Sequence, residues 1–418
     1  MTHTRIPLSL IALAIVWLIA VQIGTNIRID AGESVGTLLD RAPFYVSIAV
    51  GVLLLAHQPA AMIRWKVLIA STLFFLHLFA VLMLTSDVPL RSFLIPNYGI
   101  VSWMLLGMAS HVAVLTLERR IESDGPRSMW PLVIWLPTLS LAFLIWGLRA
   151  FTDNPGRVDS YQFPAANLIV LLLLGLLALD RWSRAWEARR GRRSSALPAL
   201  TFLALGTASS YFVSRMDSTA IVAVWSGLAL VLIWRFGISQ GWTATFLFAA
   251  VGIATALMFP AADLLQTFFA ETRFDQLRSG SSILELSSLT SRLDILPSFA
   301  EQFSVSPWFG HMQAELVSGA GVGNWVHSLP LAALTHTGLV GATLLFAASF
   351  FACEPGRRSK GELFPVLMFG LVLLMASAIA FFTWVPFWFM LGYLAIRASP
   401  RRGTVPGAPG LLGNHHGR

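Results

Sequence analysis

Three side chains in this sequence have the type and the setting to act on a charged, polar substrate: His327, Arg215 and Arg292. His327 ends the polar, glycine-rich stretch from Gly319 and runs directly into an apolar segment. A neutral imidazole, with an ordinary pKa of about 6.5, serves as a general base near neutrality. The same histidine bonded to a backbone carbonyl would do no chemistry. Arg215 lies between two apolar runs, two residues before Asp217. A guanidinium forks onto two phosphate oxygens and keeps its proton at working pH; the other reading is a helix-end arginine that snorkels and pairs with Asp217. Arg292 belongs to Ser291-Arg292-Leu293-Asp294, which has the form of a helix capping box. In the first turn of a helix it would add to a dipole that already attracts anions, or it would decorate a surface helix. The residues alone leave each of these pairs open.

Around them stand weaker candidates. Gly310 and His311 follow the turn Ser306-Pro307-Trp308-Phe309, and Gly321 and Gly323 belong to the glycine-rich stretch; these four are candidates for a loop against substrate. His77, His111 and His336 fall inside apolar runs, where a lone histidine marks function or bonds a neighbouring helix. Gly338 and Gly341, three apart, are expected on one helix face, where small residues admit another helix and do not touch substrate. The sequence has no glycine-rich phosphate loop with lysine, no zinc-spaced His/Glu motif and no nucleophile elbow. Nothing in it calls for ATP, a protein-bound metal or another cofactor.

The elements that must position these residues follow from composition. Of 418 residues, 56% are hydrophobic and 12% charged, and the mean hydropathy is +0.70. Soluble domains carry about 25% charged residues. The apolar residues fall in runs of about 15–22, long enough to cross a hydrocarbon core of about 30 Å as helices. The expected fold is therefore all-α: a polytopic membrane bundle whose backbone is satisfied within each helix. Spans are predicted over roughly 7–24, 43–57, 66–85, 97–117, 130–149, 165–179, 196–213, 217–235, 242–258, 328–352, 363–382 and 384–397, about twelve in all. The first is read as a retained helix and not a cleaved signal. The single cysteine, Cys353, excludes an intrachain disulfide.

Net charge is +8. In a soluble chain this would suggest nucleic acid; here it is topology, because about 20 of the 29 basic residues fall in alternate loops. That set includes Arg64, Lys66, Arg181, Arg184, Arg357 and Arg397 and is placed in the cytoplasm with both termini. The long loop Pro260–Val326 is then periplasmic, and its segments Ala262–Phe269 and Ser291–Phe303 are expected to lie along the membrane surface. Four regions result: N-terminal spans over roughly 1–258, a core of loop plus motif helix over 259–352, C-terminal spans over 353–398, and a disordered Pro/Gly/Arg-rich tail over 399–418.

With these residues in place, the stretch from about Thr290 to Phe346 resembles the shared core of the bacterial O-antigen ligase and O-antigen polymerase family. The elements that carry the resemblance are Arg292, the turn Ser306–Gly310, Gly319-Ala320-Gly321-Val322-Gly323, the pair His327-Ser328, and Gly338-Leu339-Val340-Gly341. Ser214-Arg215 is similar to the family's upstream Ser-Arg. Ser328 stands where the family commonly has asparagine, and His336 where an acidic residue is common. The resemblance implies a metal-independent glycosyltransferase of the bacterial inner membrane, working on its periplasmic face. Its donor would be a glycan on undecaprenyl diphosphate. Its acceptor would be a sugar hydroxyl on lipid A–core, or, for a polymerase, on another lipid-linked repeat unit. His327 would take the acceptor's proton, and Arg215 and Arg292 would hold the diphosphate leaving group.

Two rivals of other kinds remain at this stage. A lipid-linked oligosaccharide flippase suits twelve helices, but the predicted spans have no interior Asp, Glu or Lys of the kind proton-coupled transporters use. A cell-wall polymerase would need a catalytic acid in the long loop, for which Asp275, Glu285 or Asp294 would serve.

Overall fold

The helix Trp65–Thr85 is apolar on all sides, so packing decides which half of it is covered. In the computed structural model, residues 38–56, 60–85, 100–115, 118, 169–170, 173–178, 180–181, 184, 295–312, 316–318, 321–323, 328–354, 362–379 and 384–397 are described. They are mostly helical: α1 (Leu38–Ala56), a 3-10 turn (Ala60–Met62), α2 (Trp65–Thr85), α3 (Ile100–Leu115), α4 (Ile295–Val305), α5 (Leu329–Cys353), α6 (Leu363–Ile379) and α7 (Val385–Ala395). Further helical residues lie between 169 and 184. Strands β1 (Leu316–Ser318) and β2 (Gly321–Gly323) form an antiparallel hairpin. Of these helices, α2 and α5 are long and apolar enough to cross a membrane.

The central pairing is α2 against α5. On α2 the buried residues Val67, Ala70, Phe74, Leu78 and Val81 recur at helical spacing. The opposite face, with Ile69, Leu73, Leu76, Phe79 and Met83, is exposed and equally apolar. On α5, Ala332, Ala333, Gly341, Ala348 and Ala352 are buried, and such small residues let helix backbones approach closely. Every residue of α7 is buried. It crosses α3 at paired glycines: a Cβ on Gly107 would collide with the Phe389 carbonyl, and one on Gly392 with the Met104 carbonyl.

One end of the bundle is held by charge. Arg64 donates to Glu354 (2.9 Å) and Glu362 (3.2 Å), which joins the start of α2 to the end of α5 and the start of α6. Its backbone N–H donates to Ala395 O (2.8 Å), and Arg397 N–H donates to Met62 O (2.7 Å). Arg181 pairs with Glu118 (3.2 Å) and lies close enough to feel Glu362, while Arg184 pairs with Asp180 (2.9 Å). Arg64, Arg181, Asp180 and Glu362 are all buried, which they tolerate because each is paired.

Helix α4 packs on α5 and β1. Two expectations change. The first described helix starts at Leu38, which brings Asp40 and Arg41 into its first turn instead of a preceding loop. The glycine-rich stretch contains a short hairpin within an otherwise helical structure.

Candidate functional site

Helix α5 begins after Ser328, whose extended backbone (φ −155°, ψ 112°) is followed by a proline in the first turn. Ten residues in, it breaks. Gly338 has φ 62° and ψ −169°, a conformation that essentially only glycine adopts. A break in a helix frees donors and acceptors that must find other partners when buried.

The turn Ser306–Gly310 supplies those partners. Leu339 N–H donates to Pro307 O (2.8 Å) and Val340 N–H to Trp308 O (3.1 Å). In return, Thr335 O, which an unbroken helix would pair with Leu339 N–H, accepts His311 N–H (3.3 Å). Thr337 O accepts from His77 Nε2 (2.8 Å), reaching across from α2. The turn itself closes through Gly310 N–H to Ser306 O (2.8 Å).

Gly310 and Gly338 meet backbone to backbone. Gly310 also has positive φ (74°), and a Cβ on it would strike the backbone of His336, Thr337 and Gly338. A Cβ on Gly338 would strike the Trp308 carbonyl and Gly310 N (2.6 Å). The expectation that Gly338 admits another helix is corrected: what approaches it is the turn, and its special backbone is the reason a glycine stands there. Gly341, one turn on, sits against Thr337 and against His77, where a Cβ would come within 2.9 Å of the imidazole Cδ2. That position does adjoin a second helix, α2.

His311 is half-buried; its Nε2 lies 3.4 Å from Gln302 O, and its carbonyl lies 3.3 Å from His336 Nδ1. Met312 N–H donates to Thr85 Oγ1 (3.0 Å), which ties the chain to the end of α2. From there it rises into the hairpin, with Leu316 opposite Gly323, Val317 opposite Val322 and Ser318 opposite Gly321. Gly321 and Gly323 thus lie in β2, where glycine leaves the backbone open to close approach. The segment between Met312 and Ser328 leaves and rejoins the bundle at the same end of the α2–α5 pair.

His327, Arg215 and Arg292 lie outside the described residues. In the chain, His327 directly precedes Ser328, and Arg292 stands three residues before α4. The structure therefore joins Gly310, His311, Gly338 and Gly341 in one unit and leaves the three charged candidates without described geometry. Sequence reasoning gave His77 no defined partner and passed over Thr85 altogether; a histidine in the middle of an apolar run was the available signal for the first, and the second had none. Among the described residues, no three His, Cys, Asp or Glu side chains are grouped to hold a metal ion. No protein family, curated protein or solved structure matches the chain.

The His77 bond gives a graded test. His77→Leu removes the bond to Thr337 O, at an expected cost of about 0.5–1.5 kcal/mol. His77→Gln, whose amide NH2 reaches a similar position, is expected to recover most of that loss. Thermal unfolding of both variants in detergent checks the order; equal stabilities would remove His77 from the account.

Proposed function

We propose that this chain is a multi-pass glycosyltransferase of the bacterial inner membrane, of the O-antigen ligase type, that moves a glycan from undecaprenyl diphosphate to a sugar hydroxyl of lipid A–core on the periplasmic face. The observation that carries the proposal is the interlock of two separate sequence motifs: the turn Ser306–Gly310 fills the break at Gly338. In the sequence, His327 directly precedes Ser328, the residue before the helix that carries this break.

The membrane reading is supported by α2, whose exposed half carries Leu73, Leu76 and Phe79 and would need an apolar surround. Its sidedness is supported by the layer around Arg64, Arg181, Arg184 and Arg397, all from the set of basic residues assigned to the cytoplasm. Thr85 and Met312 belong to the opposite end. About twelve spans and two cytoplasmic termini complete the proposed topology.

In the proposed reaction the acceptor hydroxyl attacks the anomeric carbon while its proton passes to His327. The bond from that carbon to the diphosphate oxygen breaks, and Arg215 and Arg292 stabilise the charge that develops on the leaving undecaprenyl diphosphate. The donor is already an activated ester, so the step uses neither ATP nor a nucleotide sugar.

The test is the cell's surface glycan with and without this gene product. Loss is expected to strand long chains on undecaprenyl diphosphate and to leave bare lipid A–core. Lipid A–core carrying single repeat units would instead assign the polymerase reaction, and an unchanged profile would contradict both.

A further inference from the structure

The position of the interlock along α2 has a consequence for the membrane. Helix α2 runs from Trp65 to Thr85, and His77 stands twelve residues after its first residue and eight before its last. At about 1.5 Å per residue, His77 lies about 18 Å from one end and about 12 Å from the other. The two lengths add to a hydrocarbon core of about 30 Å, with His77 near its middle. His77 bonds Thr337 O, beside the break, and its ring lies 6.3 Å from that of Phe309 at the tip of the turn. The count along α5 agrees: Gly338 lies nine residues after Leu329, about 14 Å into the helix.

We infer that residues 295–312 form a re-entrant helix and turn, which enters the outer half of the bilayer, turns near its middle with Trp308 and Phe309 against acyl chains, and returns to the surface at Met312. This inference rests on the membrane reading and goes beyond it. Helix α4, of 11 residues, is about 16 Å long, enough to cross one leaflet. It touches both β1 and α5. Non-helical backbone at membrane depth survives only where protein satisfies its polar groups. Five of the turn's backbone groups are satisfied by protein in this way: the Ser306, Pro307 and Trp308 carbonyls and the Gly310 and His311 N–H groups are bonded. Its side chains face the other way. Trp308 and Phe309 are 63% and 62% exposed, on a surface continuous with α2 through the His77–Phe309 contact. Glu301 is exposed on α4. In this arrangement a charged side chain faces a water-filled opening from the periplasm and not lipid.

Spin labels on single cysteines in nanodiscs test the depth, in a Cys353→Ala background that removes the native thiol. Phe309→Cys is compared with Leu76→Cys as the deep reference, Leu84→Cys as the shallow one and Glu301→Cys as the aqueous one; Trp308→Cys repeats the measurement should Phe309→Cys fold poorly. Relaxation by oxygen and by a water-soluble nickel chelate is read at each. The expected result is that the 309 label matches the 76 label, with nickel access at least about tenfold below that at 301. A 309 label that matches the 84 or 301 label would overturn the re-entrant turn while leaving the membrane reading intact. Nickel access at 76 itself would overturn both.

Discussion

Gly338→Ala is expected to destabilise the protein strongly. The alanine would carry the strain of positive φ with ψ near 180°, about 1–3 kcal/mol, and its Cβ would also occupy the space of the Trp308 carbonyl carbon and oxygen. Neither obstacle is a flexible side chain. The Val340 N–H bond to Trp308 O would stretch or break, and buried helix donors would lose their partners. A total above about 3 kcal/mol follows, in the range reached only by named backbone or core defects. Gly370→Ala is the control. On α6 its Cβ would meet nothing within 4 Å, so it is expected to cost nothing and to melt at or slightly above the parent. Thermal scans of both variants in detergent, followed by size exclusion, check the contrast. A Gly338→Ala protein as stable as the parent would mean that the break is not required.

His327→Ala is expected to slow glycan transfer by about 10²–10⁴-fold, the usual contribution of a positioned general base. The same variant is expected to insert and to melt like the parent, as a base that acts only on substrate would. The acid limb of the pH profile is expected to vanish with the imidazole, since protonation of His327 is what would silence the parent at low pH. Undiminished transfer by His327→Ala would remove the assigned base. A loss of rate accompanied by an equal loss of folded protein would instead mark His327 as structural.

Helix positions were legible in the sequence because they depend on local apolar runs. The expected spans 66–85, 328–352 and 384–397 correspond to α2 (Trp65–Thr85), α5 (Leu329–Cys353) and α7 (Val385–Ala395). Packing partners were not, because they depend on residues far apart in the chain. Gly338 and Gly341 carry the same spacing as a helix-packing pair, and only the Pro307 and Trp308 carbonyls, some thirty residues upstream, distinguish a break from a smooth helix. The Arg64–Glu354–Glu362 cluster was hidden for the same reason: each charge reads locally as a helix end, and their pairing spans about 290 residues. The hairpin was missed because three-residue strands rich in glycine carry no alternating pattern.

The central claim is transfer from a lipid diphosphate, and purified protein in nanodiscs tests it most directly. The assay supplies a glycan on undecaprenyl diphosphate together with lipid A–core, without nucleotide and in the presence of a metal chelator, and measures free undecaprenyl diphosphate and glycosylated acceptor. The account predicts that both appear in equal amounts, and that Arg215→Ala and Arg292→Ala suppress both. A donor that stays intact beside a folded protein and a competent acceptor would contradict it.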